Sequence, residues 1–325
     1  MPIDHPHLLA TQADLTCSVS SCRPHFGFPD SPPLAFIRGC QGGDVVMQIF
    51  NNTILGYDKF MLVYQVDAFR DDGFLGNPAG VCVLDRAAPD AWMQAVAEKM
   101  NLAETAFIRP LNHNEFHLRW FTPKAEVKLC GHATLASAHL LWERGLLDVK
   151  SAVRFQTLSG TLMAEKEAEL ITLDFPAKPA APSDAPEGLL GALGTSAVYV
   201  GRSEFDYLVE VGSAKVLRTL KPDFALLRKL PVRGVIITAP SDDVRFDFMS
   251  RFFAPAVGVD EDPVTGSAHC TLAPYWAAKL QKTDFVACQV SARGGVLRLR
   301  LDTDRVHLSG HARTMAEFHF ERANS

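Results

Sequence analysis

Between Leu62 and Phe69, Leu62, Tyr64, Val66 and Ala68 alternate with Val63, Gln65, Asp67 and Phe69. This period of two predicts a strand. Gly76-Asn-Pro-Ala-Gly80 is a turn, and Val81 to Leu84 reads as a short buried strand. After Pro89, Trp92, Met93, Val96 and Met100 recur at helical spacing. Strands are expected at Thr105 to Ile108 and Phe116 to Phe121. The stretch from His132 to Arg144 is apolar or small nearly all round, which predicts a buried central helix ended by Gly145. Three strands follow, the last near Leu170 to Phe175.

The second half repeats this order. Strands near Ala197–Val200 and Tyr207–Val211 lead to a helix near Pro222–Leu230, then to strands at Val235–Thr238 and Phe246–Phe252. A second buried helix starts near Gly266, with Pro274 expected to kink or end it, and three strands close the half. The repeat is also written in residues. Arg119-Trp-Phe-Thr-Pro123 and Cys130-Gly-His-Ala133 match Arg251-Phe-Phe-Ala-Pro255 and Thr265-Gly-Ser-Ala268. Adding 135 carries Gly131 onto Gly266, Gly160 onto Gly295, Leu162 onto Leu297 and Leu173 onto Leu308. One offset shared by separate elements points to a duplicated half.

The expected architecture is therefore α+β, with two pseudo-symmetric lobes, each a mostly antiparallel sheet around one central helix. The boundaries read as an N-terminal lobe at 61–177, a Pro-rich linker at 178–188 and a C-terminal lobe at 189–325. Residues 1–60 lack sustained periodicity and are read as a loosely ordered extension. Translated sequence upstream of Met61, or an arm that packs on the body or a partner, are the alternatives there.

Composition narrows the function. Of 325 residues, 47% are apolar and 21% charged, as in ordinary globular chains. A net charge of −5 gives no footprint for nucleic acid. No apolar run approaches a membrane span, and no leader pattern opens the chain, so the cytoplasm is the default expectation. The seven cysteines show neither disulfide-framework nor zinc-site spacing. No cofactor motif occurs and no metal is expected.

A glycine in the first turn of a helix lets a ligand approach free backbone N–H groups and a partial positive charge. Gly131 and Gly266, matched across the repeat, could hold a small carboxylated ligand between the lobes, or could simply allow tight chain turns. Glu104, at the mouth of an apolar strand, is a candidate proton carrier if it is desolvated. A helix-end glutamate is the plain alternative. No matching acid stands near Gly234 in the second half. His132 could donate to a ligand or shuttle a proton, or be a core histidine. Asp262 and Ser267 could orient a ligand or cap a helix. Cys130 and His132 are two apart, and on a helix they would not face each other.

These residues resemble the phenazine-biosynthesis isomerase family, PhzF-like, within the diaminopimelate-epimerase-like fold. The matching segments are Gln65–Phe69, Gly76–Pro78, Leu102–Phe107, Arg119–Pro123, Leu129–Thr134, Glu261–His269 and Ser291–Gly295. The resemblance implies two barrel-like lobes with the active site in the cleft between them, and neither cofactor nor metal. In the phenazine enzyme a glutamate moves a proton along a hydroxylated cyclohexadiene carboxylate, and Glu104 falls at that position. His132 and Asp262 fall at positions that bind or orient the substrate there, and are grouped with Glu104 as candidate catalytic residues. Gly131, Gly266 and Ser267 fall with the substrate-binding ones, and Asn77 of the Gly76–Pro78 segment is grouped with them. A homodimer is one open state of assembly. Ala103 stands where relatives often carry serine, so one polar contact beside the acid is missing. The second half has no cysteine matching Cys130, which speaks against inversion by a thiol pair. A binding protein that has lost the reaction, and an amino-acid epimerase or racemase, remain as alternatives.

Overall fold

The computed structural model describes residues 47–50, 53–56 and 60–322. Within 1–60, β1 (Met47–Phe50) and β2 (Thr53–Gly56) pair as a hairpin where no strand was expected. The rest of the extension lies outside the described residues.

The first half contains β3 (Phe60–Arg70), β4 (Asn77–Val83), α1 (Asp90–Met100), β5 (Glu104–Pro110), β6 (Glu115–Phe121), β7 (Glu126–Val127) and α2 (Gly131–Glu143). It continues with β8 (Val153–Thr157), β9 (Gly160–Glu167), β10 (Leu170–Pro176) and the two-residue β11 (Ala181–Pro182). The second half contains α3 (Leu189–Leu193), β12 (Tyr199–Arg202), β13 (Asp206–Glu210), α4 (Ala214–Thr219), α5 (Phe224–Leu227), β14 (Gly234–Pro240) and β15 (Phe248–Phe253). Then follow α6 (Gly266–Leu280), β16 (Asp284–Gln289), β17 (Gly295–Asp302) and the long β18 (Arg305–Glu321).

The pairings repeat strand for strand. In the first half β3–β4 is antiparallel, β4–β5 parallel, β5–β6 antiparallel, β6–β8 parallel, and β8–β9 and β9–β10 antiparallel. In the second half β12–β13, β13–β14, β14–β15, β15–β16, β16–β17 and β17–β18 follow the same sequence of directions. The expected duplication is thus present in the topology.

Closure is reciprocal. The first part of β18 pairs with β10 through residues 305–310, and its second part pairs with β3 through 311–321. This closes an eight-stranded barrel around α2 from strands β3, β4, β5, β6, β8, β9, β10 and β18. In turn, the chain leaving β10 forms β11 and pairs with β12 of the second half. Each half lends its last extended segment to the other's sheet. Prolines 176, 179 and 182 lie along the first of these segments. Proline lacks the ladder donor, which accounts for a pairing of only two residues there.

The central helices are buried because their sequences are apolar all round. Leu135 and Leu140 of α2 and Leu272 of α6 have no exposed surface, each worth roughly 1.5–3 kcal/mol of burial. One continuous core includes α2, α6 and strands of both halves, while α1 covers the outside of the first barrel. The expected break at Pro274 does not end α6, which runs on to Leu280. The missing N–H leaves the Cys270 carbonyl without its helical donor, and the backbone N–H of Lys178 in the linker donates to it at 2.9 Å.

Candidate active site at the meeting of the two central helices

The two helix N-termini meet. A Cβ on Gly131 would lie 3.6 Å from the Gly266 Cα, and one on Gly266 would lie 3.7 Å from the Gly131 Cα. Neither terminus carries a side-chain cap or an acidic residue in its first turn. Two sets of first-turn N–H groups and two positive dipole ends therefore converge at one place.

The chain reaches this place from both sides by similar means. Arg119 of β6 grips Glu126 with Nε–Oε1 and a second guanidinium contact, both 2.7 Å. Arg251 of β15 grips Glu261 at 2.7 and 2.9 Å. These bidentate pairs pin the loops that lead into α2 and α6. Both arginines stand in the repeated sequence, and Glu126 plus 135 gives Glu261, so the repeat held this signal although the sequence reading assigned it no role. Across the halves, Arg293 donates to the Gly76 carbonyl at 2.9 Å and to Asp67 at 2.8 Å. This joins the Ser291–Gly295 turn to the one between β3 and β4.

Glu104 begins β5. Helix α1 ends at Asn101 in the left-handed conformation, and three residues later the chain pairs beside β4 with Glu104 opposite Ala79. Its side chain keeps 19% of its surface and places Oε2 3.3 Å from His132 Nε2. The angle there makes no hydrogen bond, and both atoms are buried without a hydrogen-bond partner. Burial pushes the Glu104 carboxyl up to about 8. The charge of Asp262 adds to this, and a hydrogen bond with the Cys130 thiol opposes it. Burial also lowers His132 to about 3, so its ring is neutral.

Asp262 lies in the loop before α6. Burial raises it to about 6, against hydrogen bonds from Thr265 and Asn77. Gln289 secures this loop, accepting from the Thr265 N–H at 2.9 Å and donating to the Asp262 carbonyl at 2.7 Å. Asn77 is fully buried. It donates to Asp262 Oδ1 at 2.8 Å and to the Val264 carbonyl at 2.9 Å. Ser267, in the first turn of α6, is the repeat equivalent of His132. It is half-buried.

Cys130 and His132 do meet, contrary to expectation. Cys130 is the N-cap of α2 with extended backbone, φ −148°, so helical spacing does not govern it. Its Sγ lies 3.5 Å from His132 Nδ1. Burial raises the thiol well above its ordinary value, and it stays protonated. One ligating atom each of Glu104, Cys130 and His132 lies within 4.8 Å of the others, a donor set suited to zinc. The surroundings do not suit it. A metal on Nε2 would need the ring proton on Nδ1, which faces the Asn77 amide nitrogen at 3.2 Å.

The acid is confined to one half. At the place of Glu104 the second half has Gly234, paired with Asp206. Asp206 is buried and bound by Arg233 through both guanidinium contacts.

Residues 66–317 match the family of phenazine biosynthesis-like proteins, PhzC–PhzF. The chain belongs to this family. An uncharacterized isomerase of Halalkalibacterium halodurans is 52% identical over 254 residues, covering 78% of this chain and 96% of that protein. A PhzF-family crystal structure from Enterococcus faecalis superposes with a TM-score of 0.76 at 38% identity, covering 80% of this chain and 99% of the other. A PhzC/PhzF protein from Clostridium difficile gives 0.74 at 41% identity, over 79% and 98%. The α+β two-lobed fold is that of these proteins, and the chain is an enzyme of the isomerase class. Among the described residues no helix is long and apolar enough to cross a membrane.

Proposed function

We propose that this PhzF-family protein moves a proton on a small carboxylated substrate, with Glu104 as the group that takes and returns it. The observation that carries the reading is the Glu104 carboxyl, mostly buried and raised to about 8, next to the paired helix N-termini. A carboxyl of that value exchanges its proton readily near neutral pH. The substrate carboxylate sits against the first-turn N–H groups at Gly131 and Gly266, with Ser267 as a further donor. Glu104 removes a proton from a carbon conjugated to that carboxylate. The C–H electron pair enters the conjugated system and the double bond moves. The negative charge then developing on the substrate faces the two helix termini. The protonated carboxyl of Glu104 returns its proton to the remote carbon, and the net change is an isomerisation.

Neutral His132 orients the substrate and the Glu104 carboxyl, and Asp262 shapes the facing wall. Inversion by paired thiols gains no support, because Thr265 stands where Cys130 would be repeated. The test is a set of small unsaturated carboxylates followed by NMR in deuterated water. Wild-type protein should wash deuterium into a bound substrate. Glu104→Gln should abolish this while binding stays within about tenfold, or ~1.4 kcal/mol. A fully active Glu104→Gln enzyme overturns the assignment, and so does a cleft that binds carboxylates without any exchange.

A further inference from the structure

Three acceptor-type atoms surround one buried nitrogen. Asn77 Nδ2 lies 2.8 Å from Asp262 Oδ1, 2.9 Å from the Val264 carbonyl and 3.2 Å from His132 Nδ1. The amide cannot be turned over, because its oxygen would then face a carboxylate and a carbonyl. The two amide hydrogens go to Asp262 and Val264, so a nitrogen that cannot accept is fixed against Nδ1, and a proton on Nδ1 would point at it at 3.2 Å. The other neighbour of Nδ1 is the Cys130 sulfur at 3.5 Å, at most a weak acceptor, whose thiol proton is engaged with Glu104. We infer that Asn77 is a positioning residue that sets the tautomer of His132, placing the ring proton on Nε2, toward Glu104.

This gives Asn77 a different part from a contact with substrate. It has no exposed surface, and both its hydrogens are used within the protein. The arrangement follows the logic by which a partner on one imidazole nitrogen decides what the other can do. Here the neighbour of Nδ1 is an amide nitrogen that cannot accept, so the ring proton is left to Nε2. Nε2 lies 3.3 Å from Glu104 Oε2 without the angle for a hydrogen bond to it, so its proton is left to hydrogen-bond a substrate atom held beside Glu104. Asn77 comes from β4 of the first half, while Asp262 and Val264 come from the second. The same side chain therefore ties the ring's protonation to the seating of the two halves.

The catalytic consequence rests on the proton-transfer reading above, but the tautomer itself does not. The test is the two-bond ¹H–¹⁵N correlation spectrum of the His132 ring in the full-length protein. Wild type should show the Nε2–H form. Asn77→Asp replaces the donor by a carboxylate oxygen and should convert the ring to Nδ1–H. Asn77→Ala removes the donor without adding an acceptor, should make Nδ1–H detectable, and serves if the aspartate variant does not fold. An Nδ1–H ring in wild type, or an Nε2–H ring unchanged in the folded variant, overturns the inference. With a turnover substrate in hand, Asn77→Asp should lower kcat at least about tenfold with KM within about threefold. If Glu104→Gln is active yet the tautomer switches as stated, the mechanism fails and the role of Asn77 stands.

Discussion

Leu173 and Leu308 stand opposite each other in the β10–β18 ladder, and they are also the same residue of the two repeats. A pseudo-two-fold axis must then pass between them, since only there does a position pair with its own copy. Gly131 and Gly266 meet near the same axis, so symmetry itself brings the two helix termini together.

Both leucines are almost wholly buried, in matching surroundings. Leu173→Ala and Leu308→Ala should each cost about 2–5 kcal/mol, with similar values. Urea unfolding of the two variants measures this. A cost confined to one of them would show that the halves do not share the axis equally.

The raised carboxyl of Glu104 makes stability depend on pH. Its ordinary value is 4.5 and its folded value about 8, so between these the native state holds a proton that the unfolded chain has released. The contribution is fully present below about 4.5 and is lost as pH rises through about 8. Asp262, raised to about 6, acts in the same direction over a lower window. Glu104→Gln lacks the effect of residue 104. Its melting temperature should gain on wild type from about pH 5 to about pH 8 and level off above that. A gap that stays constant over this range would contradict the burial of the carboxyl.

The same carboxyl should appear in kinetics. If Glu104 begins as the base, only about a tenth of free enzyme is active at about pH 7. The profile of kcat/KM should rise with pH and level off above about 8. A flat profile across this region, measured with any turnover substrate, would remove Glu104 from the first step.

The two arginine–glutamate pairs should matter alike. Glu126→Ala and Glu261→Ala each leave an arginine without its bidentate partner, an expected loss of about 1.5–3 kcal/mol. The second should cost more, because Arg119 keeps a carboxylate partner in Asp90 at 2.6 Å, whereas Arg251 keeps only the neutral carbonyls of Leu217 and Leu220 and is the less exposed of the two arginines. Thermal unfolding of both variants decides the order.

Much of this was legible in the chain. Helical runs without a polar face could only be buried, so α2 and α6 were plain, and the offset of 135 aligned them before any coordinates. Glu104 stood out as an acid without a counterpart. Partners that depend on turning points were not legible. Cys130 meets His132 because the N-cap leaves helical geometry, which spacing alone does not reveal. Asn77 lies in the Gly76–Pro78 turn, but its contacts reach 185 residues along the chain to Asp262, beyond any local pattern. The span of β18 was hidden too, because its exposed second part carries mixed polarity, as in Arg313-Thr-Met-Ala-Glu317.

The exchange of end segments between the halves sets how the enzyme can move. A hinge that pulled the two halves fully apart would have to separate β18 from β3, and β11 from β12. Substrate access is then expected past side chains and loops at the rim rather than by parting of the two halves. Small-angle scattering should give the same radius of gyration with and without ligand. Severing the backbone between β10 and β11 should yield two fragments that fold in each other's company and not apart.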